Sequence, residues 1–243
     1  MSKNKIILVI PAYNEEESIL KTYQSVENYN KKAKEKLDVI VINDGSKDKT
    51  KEVLEKNNIP HINLINNLGI GGAVQTGYKY ALENNYDIAI QFDGDGQHDI
   101  NYVQKICDPI IKEGYDMVIG SRYIKGEESD FQSTTMRRFG SKLISNTIKR
   151  HCKQRITDPT SGFRATNKRT IEVFAKEYPV DYPEPESTAL ILAQKFKVKE
   201  VPVEMHEREA GKSSINPLKS ADYMIKVTIA IIINSRHYKK GEL

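Results

Sequence analysis

The sequence predicts an α/β fold, a mostly parallel, doubly wound sheet with helices on both faces. Three observations carry that expectation. Short apolar runs, rich in β-branched residues and without polar alternation, recur from the N-terminus onward, as suits strands covered on both faces. Helical stretches separate those runs, the alternation that builds a parallel sheet through right-handed crossovers. The chain has 243 residues, enough for one large α/β domain. At that size it buries roughly 70–75% of its unfolded surface and needs neither disulfide nor structural metal to fold.

The first strand is expected at Ile6–Ile10, and Pro11 is expected to stop it. A helix follows over about Glu16–Tyr29, with Asn14 as its cap and Glu15–Glu17 suited to its positive end. Val39–Ile42, Ile62–Ile65, Ile88–Phe92 and Met117–Ile119 read as further strands. Between them Lys49–Lys56, Gly72–Glu83 and Asn101–Lys112 read as helices. After Gly120 the rhythm breaks: residues 121–186 hold few clean strands and many Arg, Ser, Thr and Pro. Val198–Val203 gives one more strand, and Pro217 to about Ser235 reads as a last helix. The division expected is 1–216 as a catalytic unit and 217–243 as an amphipathic helix that contacts a membrane or a partner, with docking on the protein's own core as the alternative.

Composition narrows the function classes. Hydrophobic residues make up 38%, charged residues 29%, and the mean hydropathy is −0.57. These values fit a soluble globular protein and exclude a polytopic membrane protein or a disordered tail. No apolar run reaches the ~18–20 residues of a membrane span, and Met1–Ile10 runs straight into a strand rather than a secretory leader. Cys107 and Cys152 have no CxxC partners, so neither a disulfide scaffold nor a zinc finger is expected, and a reducing, cytosolic setting is. The net charge of +4 is too small to argue for nucleic acid.

Ligands of open α/β sheets bind beyond the carboxyl ends of the strands, so the segments after each run matter most. Asn43-Asp44-Gly45-Ser46 follows the second strand; its acid suits a base or ribose hydrogen bond, and equally a plain turn. Asn67-Leu68-Gly69-Ile70-Gly71-Gly72-Ala73 looks like a dinucleotide loop, but Val74 breaks the G-x-G-x-x-G pattern and the loop follows the wrong strand. Asp93-Gly94-Asp95-Gly96-Gln97 places two carboxylates one residue apart, able to share a hard cation and leave positions open for diphosphate oxygens. Gln97 stands where a calcium loop would need an acid, which argues against an EF-hand.

Six segments in order resemble the family 2 glycosyltransferases with a GT-A fold, in the branch of dolichol-phosphate mannosyltransferases and bacterial polyprenyl-phosphate glycosyltransferases. They are Pro11–Glu15, Val41–Ser46, Asn67–Ala73, Asp93–Gln97, Asp158-Pro159-Thr160-Ser161-Gly162-Phe163-Arg164 and Arg208–Ser213. The resemblance implies a nucleotide-sugar pocket from Pro11, Ala12, Tyr13 and Glu15, with Ile42 and Asp44 at the base. Asn67, Gly71, Asp93, Gly94 and Asp95 continue that pocket. It implies Mg²⁺ or Mn²⁺ on Asp93, Asp95 and Gln97, and Arg122 beside the leaving diphosphate. Arg137, Arg138, Arg208, Lys212 and Ser213 resemble phosphate-binding elements. Asp158 is read as a site carboxylate in preference to a turn former. Glu186, with Glu184, is read as base, positioning group or helix-start acid.

The activity so implied is inverting transfer of a sugar from a nucleotide-sugar, UDP-linked by preference, to a polyprenyl phosphate at the inner face of the cytoplasmic membrane. Expected partners are the donor, the lipid acceptor, the membrane surface and a small membrane protein; homo-oligomerisation is left open. Two alternatives stand beside it. One is transfer to a hydroxyl of a growing envelope polysaccharide. The other is a catalytically silent nucleotide-sugar-binding subunit.

Overall fold

The structure is a computed structural model that describes residues 4–124, 135–205 and 217–239; the side chains of 135–139, 217–222 and 236–239 are not described. One seven-stranded sheet runs through it in the order β3-β2-β1-β4-β6-β5-β7. Its strands are β1 (Ile6–Ala12), β2 (Leu37–Asn43), β3 (His61–Asn63), β4 (Ile88–Gln91), β5 (Met117–Ser121), β6 (Arg164–Asn167) and β7 (Val198–Pro202). All neighbours pair in parallel except β6, which lies antiparallel to both β4 and β5. The mostly parallel expectation holds, with one reversed strand that the apolar runs did not reveal.

The helices are α1 (Ile19–Lys32), α2 (Thr50–Lys56), α3 (Gly69–Glu83), α4 (Val103–Glu113), α5 (Thr135–Cys152), α6 (Lys168–Lys176), α7 (Pro183–Ala193) and α8 (Pro217–Lys239). Alternate side chains of β1 enter opposite layers. Ile6, Leu8 and Ile10 pack with α1, α2 and α4, while Ile7 and Val9 pack with α3 and α5 to α8. This is the period-2 consequence of a sheet buried on both faces. Close approach of α3 to the sheet depends on Gly77, where a Cβ would meet Val9 at 2.0 Å.

Two local expectations are corrected. Pro11 does not stop β1; the strand continues to Ala12, opposite Ile42 and Asn43 of β2. Residues of one parity bond β2, as Ala12 accepts from the Asp44 amide, and the other parity faces β4, as Val9 accepts from Phe92. Pro11 therefore points its missing N–H past the end of β4 at Gln91, where no ladder bond is lost. Asn14 does not cap α1 either. Its backbone takes a left-handed φ of 57° and its Oδ1 accepts from the Lys47 amide at 2.8 Å. The helix begins later, at Ile19, and Glu16–Ser18 form a turn ahead of it.

Because β6 is reversed, it begins at the edge where β4 and β5 end. The preceding turn, residues 157–163, is thereby delivered to the same edge as the loops after β1, β2, β4 and β5.

Candidate active site

The loops after β1 and β2 are locked together before any ligand is considered. The Asn14 amide donates to Ser46 Oγ at 3.0 Å and the Glu15 amide to Thr50 Oγ1 at 2.9 Å. Gly45 has a φ of +65°, and a Cβ there would meet the Asn67 amide nitrogen at 2.8 Å, so this turn tolerates only glycine. Asp44 is buried, its Oδ1 accepts from the Leu68 amide at 2.7 Å, and its carbonyl accepts from Asn67 Nδ2 at 3.1 Å. Burial pushes the Asp44 carboxyl up, against the opposing pull of the Leu68 and Gly69 amides. The residue expected to read a base thus also ties β2 to the start of α3. Ile42 is buried below it, and Tyr13 stands 42% exposed at the rim. Gly71 admits the Pro179 and Val180 carbonyls, which a Cβ would meet at 2.4 and 2.6 Å.

Beyond β4, Asp93 is partly exposed and Asp95 is buried, with Asp95 Oδ1 accepting from the Gln97 amide at 3.1 Å. The Gly94 carbonyl accepts from Thr22 Oγ1 at 3.1 Å, which fastens this loop to α1. Beneath Asp93 lies His98, whose ring stacks on Phe163 (centroids 4.9 Å apart, 21°) and meets Phe92 edge-on. Its Nδ1 accepts from the Asp93 amide at 3.0 Å, which assigns the proton to Nε2, 3.4 Å from Asp93 Oδ2. Burial lowers the pKa of His98 and outweighs the raising pull of Asp93 and Asp95, so the ring is a neutral support for Asp93. On the other side, a Cβ at Gly162 would meet Asp93 Oδ2 at 2.8 Å.

Arg122 leaves the end of β5 and forks onto Asp158, Nε to Oδ2 and Nη2 to Oδ1, both at 2.7 Å. Its backbone amide reaches the same carboxylate at 3.0 Å, and Nη2 also donates to Thr160 at 3.1 Å. Burial alone would lower the guanidinium's pKa, but the Asp158 charge and hydrogen bonds hold it raised. Glu200 on β7 accepts from the Thr157 amide (2.7 Å), Thr157 Oγ1 (2.8 Å) and the Asp158 amide (2.8 Å), fixing the turn that presents Asp158.

Arg164 is fully buried. It donates to the carbonyls of Ser161 (2.6 Å), Glu184 (2.7 Å) and Pro159 (2.9 Å) and to Ser187 Oγ (2.9 Å). It thereby seats the first turn of α7 against the site turn. The two acids of that turn part company: Glu184 Oε1 lies 3.5 Å from Gln91 Nε2, whereas Glu186 Oε2 accepts from Asn234 of α8 at 2.7 Å. Burial raises both carboxyls; Arg164 opposes this at Glu184 and Asn234 opposes it at Glu186.

The structure brings together the segments holding Pro11, Ala12, Tyr13, Glu15, Asp44, Asn67, Asp93, Asp95, Arg122 and Asp158 at one sheet edge. Arg208, Lys212 and Ser213 lie outside the described residues, as do the side chains of Arg137 and Arg138 in the first turn of α5. The supporting roles of Gly162, Arg164, Glu200 and His98 were not read from the sequence. Gly162 and Arg164 sit inside a quoted motif, but Glu200 carries no local signal at all. Among the described residues no three His, Cys, Asp or Glu side chains gather as a metal site. The donor set is the Asp93 and Asp95 carboxylates just beyond β4, hard oxygens of the kind that suit a Mg²⁺- or Mn²⁺-sized ion completed by phosphate oxygens and water.

The sequence model of the family described as Glycosyl transferase family 2 matches residues 7–174. A UDP-N-acetylglucosamine–dolichyl-phosphate N-acetylglucosaminyltransferase of Methanococcus voltae is 32% identical over 224 residues, covering 84% of this chain and 86% of that one. A polyprenol monophosphomannose synthase of Mycolicibacterium smegmatis is 26% identical over 236 residues, 92% of this chain and 85% of that one. Among solved structures, a glucosyl-3-phosphoglycerate synthase of Mycobacterium tuberculosis with Mn²⁺, UDP and phosphoglyceric acid superposes with a TM-score of 0.67. That match covers 96% of this chain and 78% of the other at 17% identity, a likeness of fold.

Proposed function

The chain belongs to glycosyl transferase family 2 and has a GT-A fold; from that premise we propose that it transfers a sugar from a UDP-sugar to a polyprenyl phosphate at the inner face of the cytoplasmic membrane, with inversion. The observation that carries the reading is the Asp93-Gly94-Asp95 turn at the end of β4, braced from below by His98 and walled by Gly162. Lipid-phosphate acceptors in the names of its relatives support the acceptor class.

In this reading Pro11–Glu15, Asp44 and Asn67 hold the nucleoside, and Asp93 and Asp95 face the diphosphate. A divalent cation, Mg²⁺ or Mn²⁺, held by the Asp93 and Asp95 carboxylates would supply Lewis-acid neutralisation of the departing diphosphate. Arg122, kept in place by Asp158, lies past the end of β5, across β6 from β4, as an oriented cationic group. The acceptor phosphate oxygen attacks the anomeric carbon as the bond to the diphosphate breaks. That oxygen is already anionic, so no side chain has to remove a proton. Glu186, engaged with Asn234, then serves to position α8, and Glu184 to orient the sugar.

A second reading, transfer to a sugar hydroxyl, is favoured by one observation: the half-buried Glu184 carboxyl, 3.5 Å from Gln91 Nε2, has a raised pKa, as suits a general base. Labelled nucleotide-sugars incubated with extracted polyprenyl phosphate decide between them. The expected product partitions into organic solvent, and chelator or Asp95→Ala abolishes it. A product confined to the aqueous phase, or one indifferent to both treatments, overturns the proposal.

A further inference from the structure

Helices α5 and α8 lie side by side across α7. Cys152 Sγ at the end of α5 approaches the Ala189 carbonyl at 3.7 Å, Asn234 of α8 bonds Glu186, and the Tyr223 ring packs on Tyr182 at 5.1 Å. Their inward faces are core: Ile144 and Ile148 on α5, Val227 and Ile231 on α8. Their outward faces are unusual in two independent ways.

The first is apolar. Ile225, Ile229 and Ile233 are 60%, 50% and 59% exposed, and their four-residue spacing puts them in one stripe along α8. Leu143 on α5 is exposed as well. Scattered surface aliphatics need no explanation, but a row of three isoleucines on one helix signals something that covers it.

The second is charge. The two helices together contain nine Lys and Arg against one acid, Asp222, a net of +8 in a chain whose total is +4. The remainder of the molecule therefore carries −4. Lys142, Lys149 and Arg150 of α5 and Lys226 of α8 are exposed on these two contacting helices.

We propose that the outward face of α5 and α8 docks the protein onto an anionic lipid bilayer, the isoleucine stripe entering the headgroup boundary and the basic side chains meeting lipid phosphates. Among the described residues no helix is long and apolar enough to cross a membrane, so α8 lies along the surface. The inference rests on the polyprenyl-phosphate reading of the acceptor, which must be met at a bilayer. Charge complementarity selects the bilayer over a second copy of the chain, because two such faces, each with Lys142, Lys149, Arg150 and Lys226 exposed and no acid among the described side chains of the two helices, repel each other. Each basic residue near an anionic surface contributes about 1 kcal/mol, which makes attachment reversible and salt-sensitive.

The test is sedimentation with vesicles of phosphatidylcholine alone and of phosphatidylcholine and phosphatidylglycerol in equal parts. Wild type should pellet with the anionic vesicles and be released by salt. The variant Ile225→Ser/Ile229→Ser/Ile233→Ser should bind ~10-fold or more weakly, with an unchanged circular dichroism spectrum. Lys142→Glu/Lys149→Glu/Arg150→Glu should lose binding too, and serves if the serine variant does not fold. Wild type that stays in the supernatant, or variants that bind as wild type does, overturn the proposal. So does a wild-type dimer, seen by sedimentation equilibrium, that the serine variant loses while neither form binds vesicles. Transfer to a short, water-soluble prenyl phosphate separates this inference from the acceptor reading. The variants should match wild type there and fail only on vesicle-borne acceptor. Wild type that binds vesicles through this face but glycosylates no prenyl phosphate would remove the acceptor reading and leave the surface standing.

Discussion

At the scale of single residues, the site is held by groups that answer to burial before they answer to substrate. Asp158 is fully buried and forms a forked ion pair with Arg122, itself nearly buried. Removing one partner of such a pair leaves the other charge without compensation, a loss of about 3–5 kcal/mol. Asp158→Ala should therefore lower the unfolding free energy by that amount, read as a lower urea midpoint, as well as activity, while Asp95→Ala, in a strand-end loop, should cost activity with little stability; equal midpoints for the two variants would refute the distinction. Glu186 gives a pH signature. Burial raises its pKa above the ordinary 4.5 against the opposing Asn234 bond, so the folded chain holds this proton more tightly than the unfolded chain. Its contribution to stability is complete below pH 4.5 and disappears as pH rises through the raised value. Glu186→Gln keeps an acceptor for Asn234 and carries no charge. Its melting temperature should match wild type at pH 4 and exceed it increasingly toward pH 7. A constant difference across that range would show that Glu186 does not titrate as described.

At the scale of elements, what was legible in the sequence follows from which forces are local. β1, β2, β4 and β5 announce themselves because strands covered on both faces must be apolar, and Asp93-Gly94-Asp95 is legible because two acids and a glycine suit little besides a turn or a cation. β6 was not legible. Arg164-Ala165-Thr166-Asn167 has no apolar run, and its polar side chains are satisfied by partners distant in sequence, as Thr166 Oγ1 is by the Ala89 carbonyl at 3.1 Å. Asn14 and Pro11 were misread for the same reason: their partners are Lys47 and the space past β4, neither visible locally. The site depends on that illegible strand, because β6 brings Gly162 against Asp93. A methyl group at 162 would meet a carboxylate oxygen, the movable end of a side chain, rather than backbone. Gly162→Ala should thus fold with a stability change within about 1 kcal/mol, yet displace Asp93 and reduce transfer ~10- to 100-fold. Retained activity, or a collapse of the fold, would show that the glycine serves something other than room for Asp93.

At the scale of the whole molecule, the sheet divides the interior into two layers, and α8 belongs to one of them, where the sequence leaves docking on the core and contact with a membrane both open. Val227 and Ile231 have no exposed surface and pack in the same cluster as Ile144 and Ile148 of α5 and Leu190 of α7. Met224 closes over Gly140, where a Cβ would meet its sulfur at 2.5 Å. The helix thus does two jobs on two faces, sealing the α7 layer inward and presenting isoleucines outward, and the two are separable by mutation. Each buried Val or Ile contributes about 1.5–3 kcal/mol, and a domain has only about 5–15 kcal/mol in all. A chain ending at residue 216 should consequently lose several kcal/mol, with its urea transition shifted to lower concentration and broadened as the uncovered α5–α7 surface loosens. The serine substitutions at 225, 229 and 233 touch only exposed positions and should leave the transition where it is. If the truncated chain unfolds as the full chain does, α8 is an appendage after all, and its inward contacts contribute nothing to the core.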